Sequence, residues 1–118
     1  MYNSIIVDHF TSPRNIGELE DRDEEISIGN PVCGDTIHLH LKKNDKTIVD
    51  VKFKAYGCAT SIATASVFSE YIKNKTIDQI RETVNPAREE MLGELEPSQR
   101  HCLDILAQLF GHFDRITA

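Results

Sequence analysis

Between Ile26 and Ala55 apolar and polar side chains alternate. Ile26 and Ile28, then Ile37, Leu39 and Leu41, then Val49, Val51, Phe53 and Ala55 carry one phase, with Ser27, Thr36, His38, His40, Lys42, Asp50, Lys52 and Lys54 between them. A period of two is the side-chain spacing of a strand, and one apolar phase against one polar phase describes a sheet covered on a single side. The short polar turn Lys43-Asn44-Asp45-Lys46 suits a hairpin. Three antiparallel strands are therefore expected, with helices on their apolar face.

The flanking sequence supplies those helices. Asn3 or Ser4 can cap a first one carrying Ile5, Ile6, Val7 and Phe10, ended by Ser12-Pro13. Gly57 turns the chain out of the third strand into an Ala/Ser/Thr-rich helix with Ile62, Ala65, Phe68 or Ser69, and Ile72 on one stripe. Thr76-Ile77-Asp78-Gln79 reads as a capping box, Asn85-Pro86 starts another short helix that stops near Gly93, and a last helix from about Pro97 carries Leu103, Leu106, Phe110 and Phe113. The fold class expected is α+β: a three-stranded antiparallel sheet with about five helices packed on one face.

At 118 residues one domain, 1–118, accounts for the whole sequence. Thirteen basic against nineteen acidic residues give a net charge of −6, the wrong sign for neutralising phosphates, so nucleic acid is not an expected partner. The opening MYNSIIVDHF has neither a long apolar core nor an Arg-rich transit pattern, and no apolar stretch is long enough to span a bilayer. A cytoplasmic protein with no membrane association is expected. Three cysteines cannot all pair within one chain, which favours reduced thiols over a disulfide framework.

Each cysteine falls at a junction between expected elements. Cys33 lies in the turn Gly29-Asn30-Pro31-Val32-Cys33-Gly34-Asp35, Cys58 follows Gly57 at a helix start, and Cys102 stands beside His101 in the first turns of the last helix. Helix N-termini favour the thiolate, the form that binds metal or attacks sulfur. No C-x-x-C pair occurs, so any shared site has to be assembled by the fold. Three thiolates suit zinc, copper(I) or an iron–sulfur cluster; a [2Fe-2S] core needs a fourth ligand, which the neighbours Asp35 and His101 can offer. A hydrolase pairing Cys102 with His101 is disfavoured, because adjacent helical residues point about 100° apart. His38 and His40 on the polar strand face, and His9 and His112 on outer helix positions, are expected to be solvated and without a role. The acidic run from Glu18 to Glu25 is expected to be a solvated loop.

Three segments taken in order, Gly29-Asn30-Pro31-Val32-Cys33-Gly34-Asp35, Tyr56-Gly57-Cys58-Ala59-Thr60-Ser61-Ile62-Ala63 and His101-Cys102, resemble the motifs of the IscU/NifU N-terminal family of iron–sulfur cluster assembly scaffolds. Tyr2 and the stretch Asp8-His9-Phe10…Pro13-Arg14-Asn15 match its opening helix. The resemblance implies an IscU/SufE-like fold and a non-enzymatic scaffold. On it a cysteine desulfurase delivers persulfide sulfur, iron (Fe2+) and electrons from a ferredoxin join it, and a transient [2Fe-2S] cluster passes to apo-acceptor proteins. It implies Cys33, Asp35, Cys58, His101 and Cys102 as cluster or metal ligands, Asp35 and His101 being exchangeable, with Cys102 as persulfide acceptor and zinc (Zn2+) bound when no cluster is present.

One departure bears on a partner. The Leu-Pro-Pro-Val-Lys segment that an Hsp70-type chaperone grips in the IscU branch is replaced by Leu95-Glu96-Pro97-Ser98-Gln99-Arg100, which leaves that chaperone without its motif. The alternative is a SufU-like, zinc-dependent sulfurtransferase. That branch has an insertion between the second and third motifs and lacks histidine before the last cysteine, whereas this chain has His101 and no evident insertion.

Overall fold

The computed structural model describes residues 2–30, the side chain of Asn30 apart, and 35–115. Along the chain run α1 (Ser4–Thr11), β1 (Glu24–Asn30), β2 (Asp35–Asn44), β3 (Thr47–Tyr56), α2 (Ala59–Ile72), α3 (Ile77–Arg81), α4 (Asn85–Glu90), a 3-10 turn (Pro97–Gln99) and α5 (His101–Asp114). The strands form one antiparallel sheet in the order β1-β2-β3, with Ile26 opposite Leu39 and Leu39 opposite Phe53. The α+β arrangement expected from the alternation is therefore present: three antiparallel strands and five α-helices. No helix among the described residues is long and apolar enough to cross a membrane.

The sheet's apolar face, Ile26, Ile37, Leu39, Leu41, Val51 and Phe53, is buried. Against it pack Phe68 and Ile72 of α2 and Leu106, Leu109, Phe110 and Phe113 of α5, all buried, with the Phe68 and Phe110 rings edge to face at 5.0 Å. Asn3 caps α1 by accepting from the Ile6 N–H, and the Thr76–Gln79 capping box starts α3, both as their residue types dictate.

Four expectations need correction. Val49 does not join the apolar face: it is exposed, and Ile48 is buried in its place. The pairing explains this, since Lys42 faces Asp50 but Lys43 faces Ile48, so a bulge at Val49 inverts the phase of the first residues of β3. The helix α2 has no single apolar stripe. Packed between the sheet, α1 and α5, it is buried on most sides, from Thr60 and Ser61 through Ala63, Thr64, Ala65, Ser66, Val67 and Phe68 to Ser69. Its hydroxyls are satisfied within the fold, Thr64 on the Thr60 carbonyl at 2.6 Å and Ser69 on the Ser66 carbonyl at 2.8 Å.

His9 is buried too. The helix α1 turns Ile6 and His9 toward α2 and leaves Val7 and Phe10 half exposed. Ser66 Oγ accepts from the Arg14 N–H at 2.9 Å and is hydrogen-bonded to His9 Nδ1 at 2.8 Å, and burial pushes the His9 pKa down. On the polar sheet face His40 is buried beneath the acidic run, whose own side chains Glu18, Glu20, Asp21 and Asp23 stay exposed as expected of a solvated loop. Leu19 N–H donates to Nδ1 of the buried His40, whose Nε2 donates to Glu25, while Glu18 meets Lys54, and Asp21 and Asp23 meet Lys42. His38 is half buried with Nδ1 3.0 Å from Ser27 Oγ, and His112 is half buried, 3.7 Å from Glu24.

Candidate metal centre

Three chain junctions meet at one end of the sheet. Asp35 opens β2, Cys58 is the N-cap of α2 directly after β3, and His101 opens α5. Asp35 is 3% exposed, an unusual place for a carboxylate, and its oxygens are accounted for: Oδ1 accepts the Cys58 N–H at 3.2 Å and Oδ2 the Ser61 hydroxyl at 2.5 Å. Room for it exists because residue 57 is glycine. With φ at +146°, Gly57 holds a backbone conformation that side chains disfavour, and a Cβ there would overlap the Asp35 carboxylate.

Cys58 Sγ lies 3.3 Å from His101 Nε2 and 3.9 Å from Asp35 Oδ2, and the imidazole nitrogen is 3.9 Å from the same oxygen. These three donor atoms form the one group of its kind among the described residues. The edges of a tetrahedron built on metal bonds of about 2.0–2.3 Å are about 3.3–3.8 Å long. A triangle with sides of 3.3, 3.9 and 3.9 Å is thus close to one face of such a tetrahedron, and thiolate, imidazole and carboxylate suit zinc or iron. The donor set fits a metal ion, with a fourth position left to another ligand.

The remaining two cysteines stand differently. Cys33 lies outside the described residues. Cys102 is fully buried with the core side chains, and its S–H donates to the Gln99 carbonyl at 2.6 Å. It is not at a free helix end, as its place in the sequence suggests: the 3-10 turn Pro97–Gln99 precedes α5, and the carbonyl of its last residue takes the S–H. Cys58, by contrast, is exposed and borders a surface hollow walled by Tyr2, Glu96 and Ser98.

Two residues without an assigned role in the sequence complete the centre. Thr60 Oγ1 is 3.0 Å from Cys58 Sγ and 3.3 Å from His101 Nε2, and Ser61 Oγ is 3.2 Å from the sulfur. Their offset carries the signal: residues two and three past an N-cap sit in the first helical turn, where their N–H groups and side chains surround the capping atom. In a helix already rich in Ser and Thr that signal is hard to separate from packing.

Burial pushes the Cys58 thiol up, but hydrogen bonding by Ser61, Thr60 and His101 outweighs it and brings the pKa down to about 7. His101 is raised, first by its hydrogen bond to Cys58, whereas burial pushes Cys102 up. Since the thiolate is the reactive form, iodoacetamide should label Cys58 well before Cys102, at a rate that climbs with pH and levels off above an inflection near 7. Peptide mass spectrometry across about pH 5.5–9 checks this. Equal labelling, or an inflection at the ordinary thiol value, contradicts the arrangement.

The NifU-like N terminal domain family profile matches residues 1–110. This chain belongs to that family. It is 42% identical over 107 residues to the iron–sulfur cluster assembly scaffold protein IscU 1 of Archaeoglobus fulgidus, covering 91% of this chain and 70% of the relative. It is 39% identical over 111 residues to the iron–sulfur cluster assembly scaffold protein IscU of Escherichia coli K12, covering 91% and 85%. The N-terminal part of a nitrogen-fixing NifU-like protein from Brucella abortus shares the fold, with a TM-score of 0.65 at 22% identity over 96% of this chain and 80% of that one. The IscU/NifU resemblance carried by the three motifs is thus a family membership.

Proposed function

We propose that this chain is an iron–sulfur cluster assembly scaffold whose cargo, a transient [2Fe-2S] cluster, is built on the centre at Asp35, Cys58 and His101. The observation that carries this is the convergence of one sulfur, one nitrogen and one oxygen donor, within 4.8 Å of one another, from three separate elements of an IscU-like chain. Cys33 and Cys102 would complete the ligand set. The carboxylate is the hard, weakly held donor for iron in a soft set, which suits a cargo that has to leave.

Sulfur would arrive as a persulfide from a cysteine desulfurase. Persulfide sulfur is two electrons short of sulfide, so a reductant such as a ferredoxin is part of the scheme. Cys102 remains the proposed acceptor. Its burial means that Cys102 has to become exposed and leave the Gln99 carbonyl before it can react, while the exposed Cys58 is ready without rearrangement. Reduced thiols at both positions suit a reducing compartment such as the cytoplasm. When no cluster is present Asp35, Cys58 and His101 would hold zinc.

Anaerobic incubation with ferrous iron, cysteine, a cysteine desulfurase and a thiol reductant such as dithiothreitol, which supplies the two electrons that turn persulfide sulfur into sulfide, tests the proposal. The expected result is a visible [2Fe-2S] chromophore on the chain that fades as an apo-ferredoxin gains one. Zinc retained throughout, with the desulfurase accelerated and no chromophore, would replace the scaffold by a SufU-like sulfurtransferase. Neither result would overturn both.

A further inference from the structure

Given that metal centre, we infer that Ser61 is the residue that positions Asp35 to receive metal. Asp35 Oδ2 is the oxygen that faces both Cys58 Sγ and His101 Nε2, at 3.9 Å each, and it is also the oxygen that accepts the Ser61 hydroxyl. A carboxylate oxygen has two acceptor sites, so one hydrogen bond leaves the other free for a cation. The Cys58 N–H fixes Oδ1, the bare Cα of Gly57 leaves space beside it, and Ser61 fixes Oδ2. Together they set the plane of the carboxylate before any metal arrives. Ser61 is fully buried, so water does not stand in for its hydroxyl.

The single hydroxyl hydrogen of Ser61 lies between two acceptors, Asp35 Oδ2 at 2.5 Å and Cys58 Sγ at 3.2 Å. The contact to the carboxylate is the shorter, and the sulfur, which Ser61 also helps to hold as thiolate, has Thr60, His101 and the Ser61 backbone N–H as further partners. Ser61 therefore acts on the metal chiefly through Asp35, with the longer contact to Cys58 as the smaller route. Outer partners of metal-bound carboxylates and imidazoles carry affinity, and their loss costs about 10- to 100-fold.

The test is a zinc titration of the metal-free full chain against a chromophoric chelator, with cobalt(II) absorption as a second readout, for wild type, Ser61→Ala, Asp35→Ala and the double variant. Ser61→Ala should bind zinc about 10- to 100-fold more weakly. Its cobalt spectrum should shift in the direction of the Asp35→Ala spectrum, and its metal-free unfolding should stay cooperative. In the Asp35→Ala background the Ser61 substitution should add far less, because the group it orients is gone and only its longer contact to Cys58 remains. Unchanged affinity in Ser61→Ala, or an equal loss in the Asp35→Ala background, overturns the assignment. A wild type that binds neither metal instead overturns the metal centre itself, and this inference with it.

Discussion

Replacing Gly57 by alanine is expected to remove metal binding and to weaken the fold at the same time. Alanine at φ +146° sits in a region that costs a side-chain residue on the order of 1–3 kcal/mol. For a chain of this length that corresponds to roughly 3–5 °C in melting temperature per kcal/mol. The second effect is local: the new Cβ would occupy the space of the Asp35 carboxylate, which cannot shift without losing the Cys58 N–H and Ser61 hydrogen bonds. A buried carboxylate forced off its donors is costly, and one of three convergent metal donors moves away. Gly29→Ala is the control, since among the described residues a Cβ there meets only the Asp35 carbonyl oxygen at 3.7 Å, an ordinary contact. Thermal unfolding and zinc titration of both variants check this. Wild-type affinity in Gly57→Ala would mean that the carboxylate is not held where the donor triangle needs it.

The sequence carries the sheet because side-chain alternation is a local signal, and it carries the Gly57–Cys58 junction because glycine and an N-cap have local chemistry. The same holds for the Asn3 cap and the Thr76 capping box. What it does not carry depends on segments distant in the chain. The polar phase of β2 reads as solvated, yet His40 is buried because residues from Leu19 to Glu25 fold back over it. Val49 reads as apolar and inward, yet one bulge reverses it and brings in Ile48. His9 looks like the outer face of a helix until Ser66, 57 residues later, supplies a partner. Around the centre, Asp35, Cys58 and His101 are legible from motif and junction. The function of Ser61 is not, because nothing local distinguishes a hydroxyl that aims a carboxylate from one that merely packs in a helix of small residues.

Cys58→Ala and Cys102→Ala should separate chemistry from stability. From their places near helix starts both cysteines look replaceable without harm to the fold, and for Cys58 that holds: it is exposed, gives its helix no side-chain cap hydrogen bond, and its buried neighbours Thr60 and Ser61 keep other partners, His101 Nε2 and the Asp35 carboxylate. Surface changes of this kind stay within about 0.5 kcal/mol. Its loss removes the sulfur donor, so zinc binding should fall by more than the roughly 10- to 100-fold that the loss of an outer partner costs. Cys102 reverses the pattern. It lies in the core at 0% exposure and gives its S–H to the Gln99 carbonyl, so alanine leaves a small void and withdraws a donor from a buried contact. The expected cost is on the order of 1–3 kcal/mol. In the resting conformation the Cys102 sulfur is engaged elsewhere and does not belong to the Asp35–Cys58–His101 group, so zinc affinity at a temperature where the variant is folded should fall far less than in Cys58→Ala. Thermal melts and chelator competition on the two proteins read both axes. A Cys102→Ala protein as stable as wild type but unable to bind zinc would mean that the last helix opens to deliver its sulfur to the metal even before any partner docks.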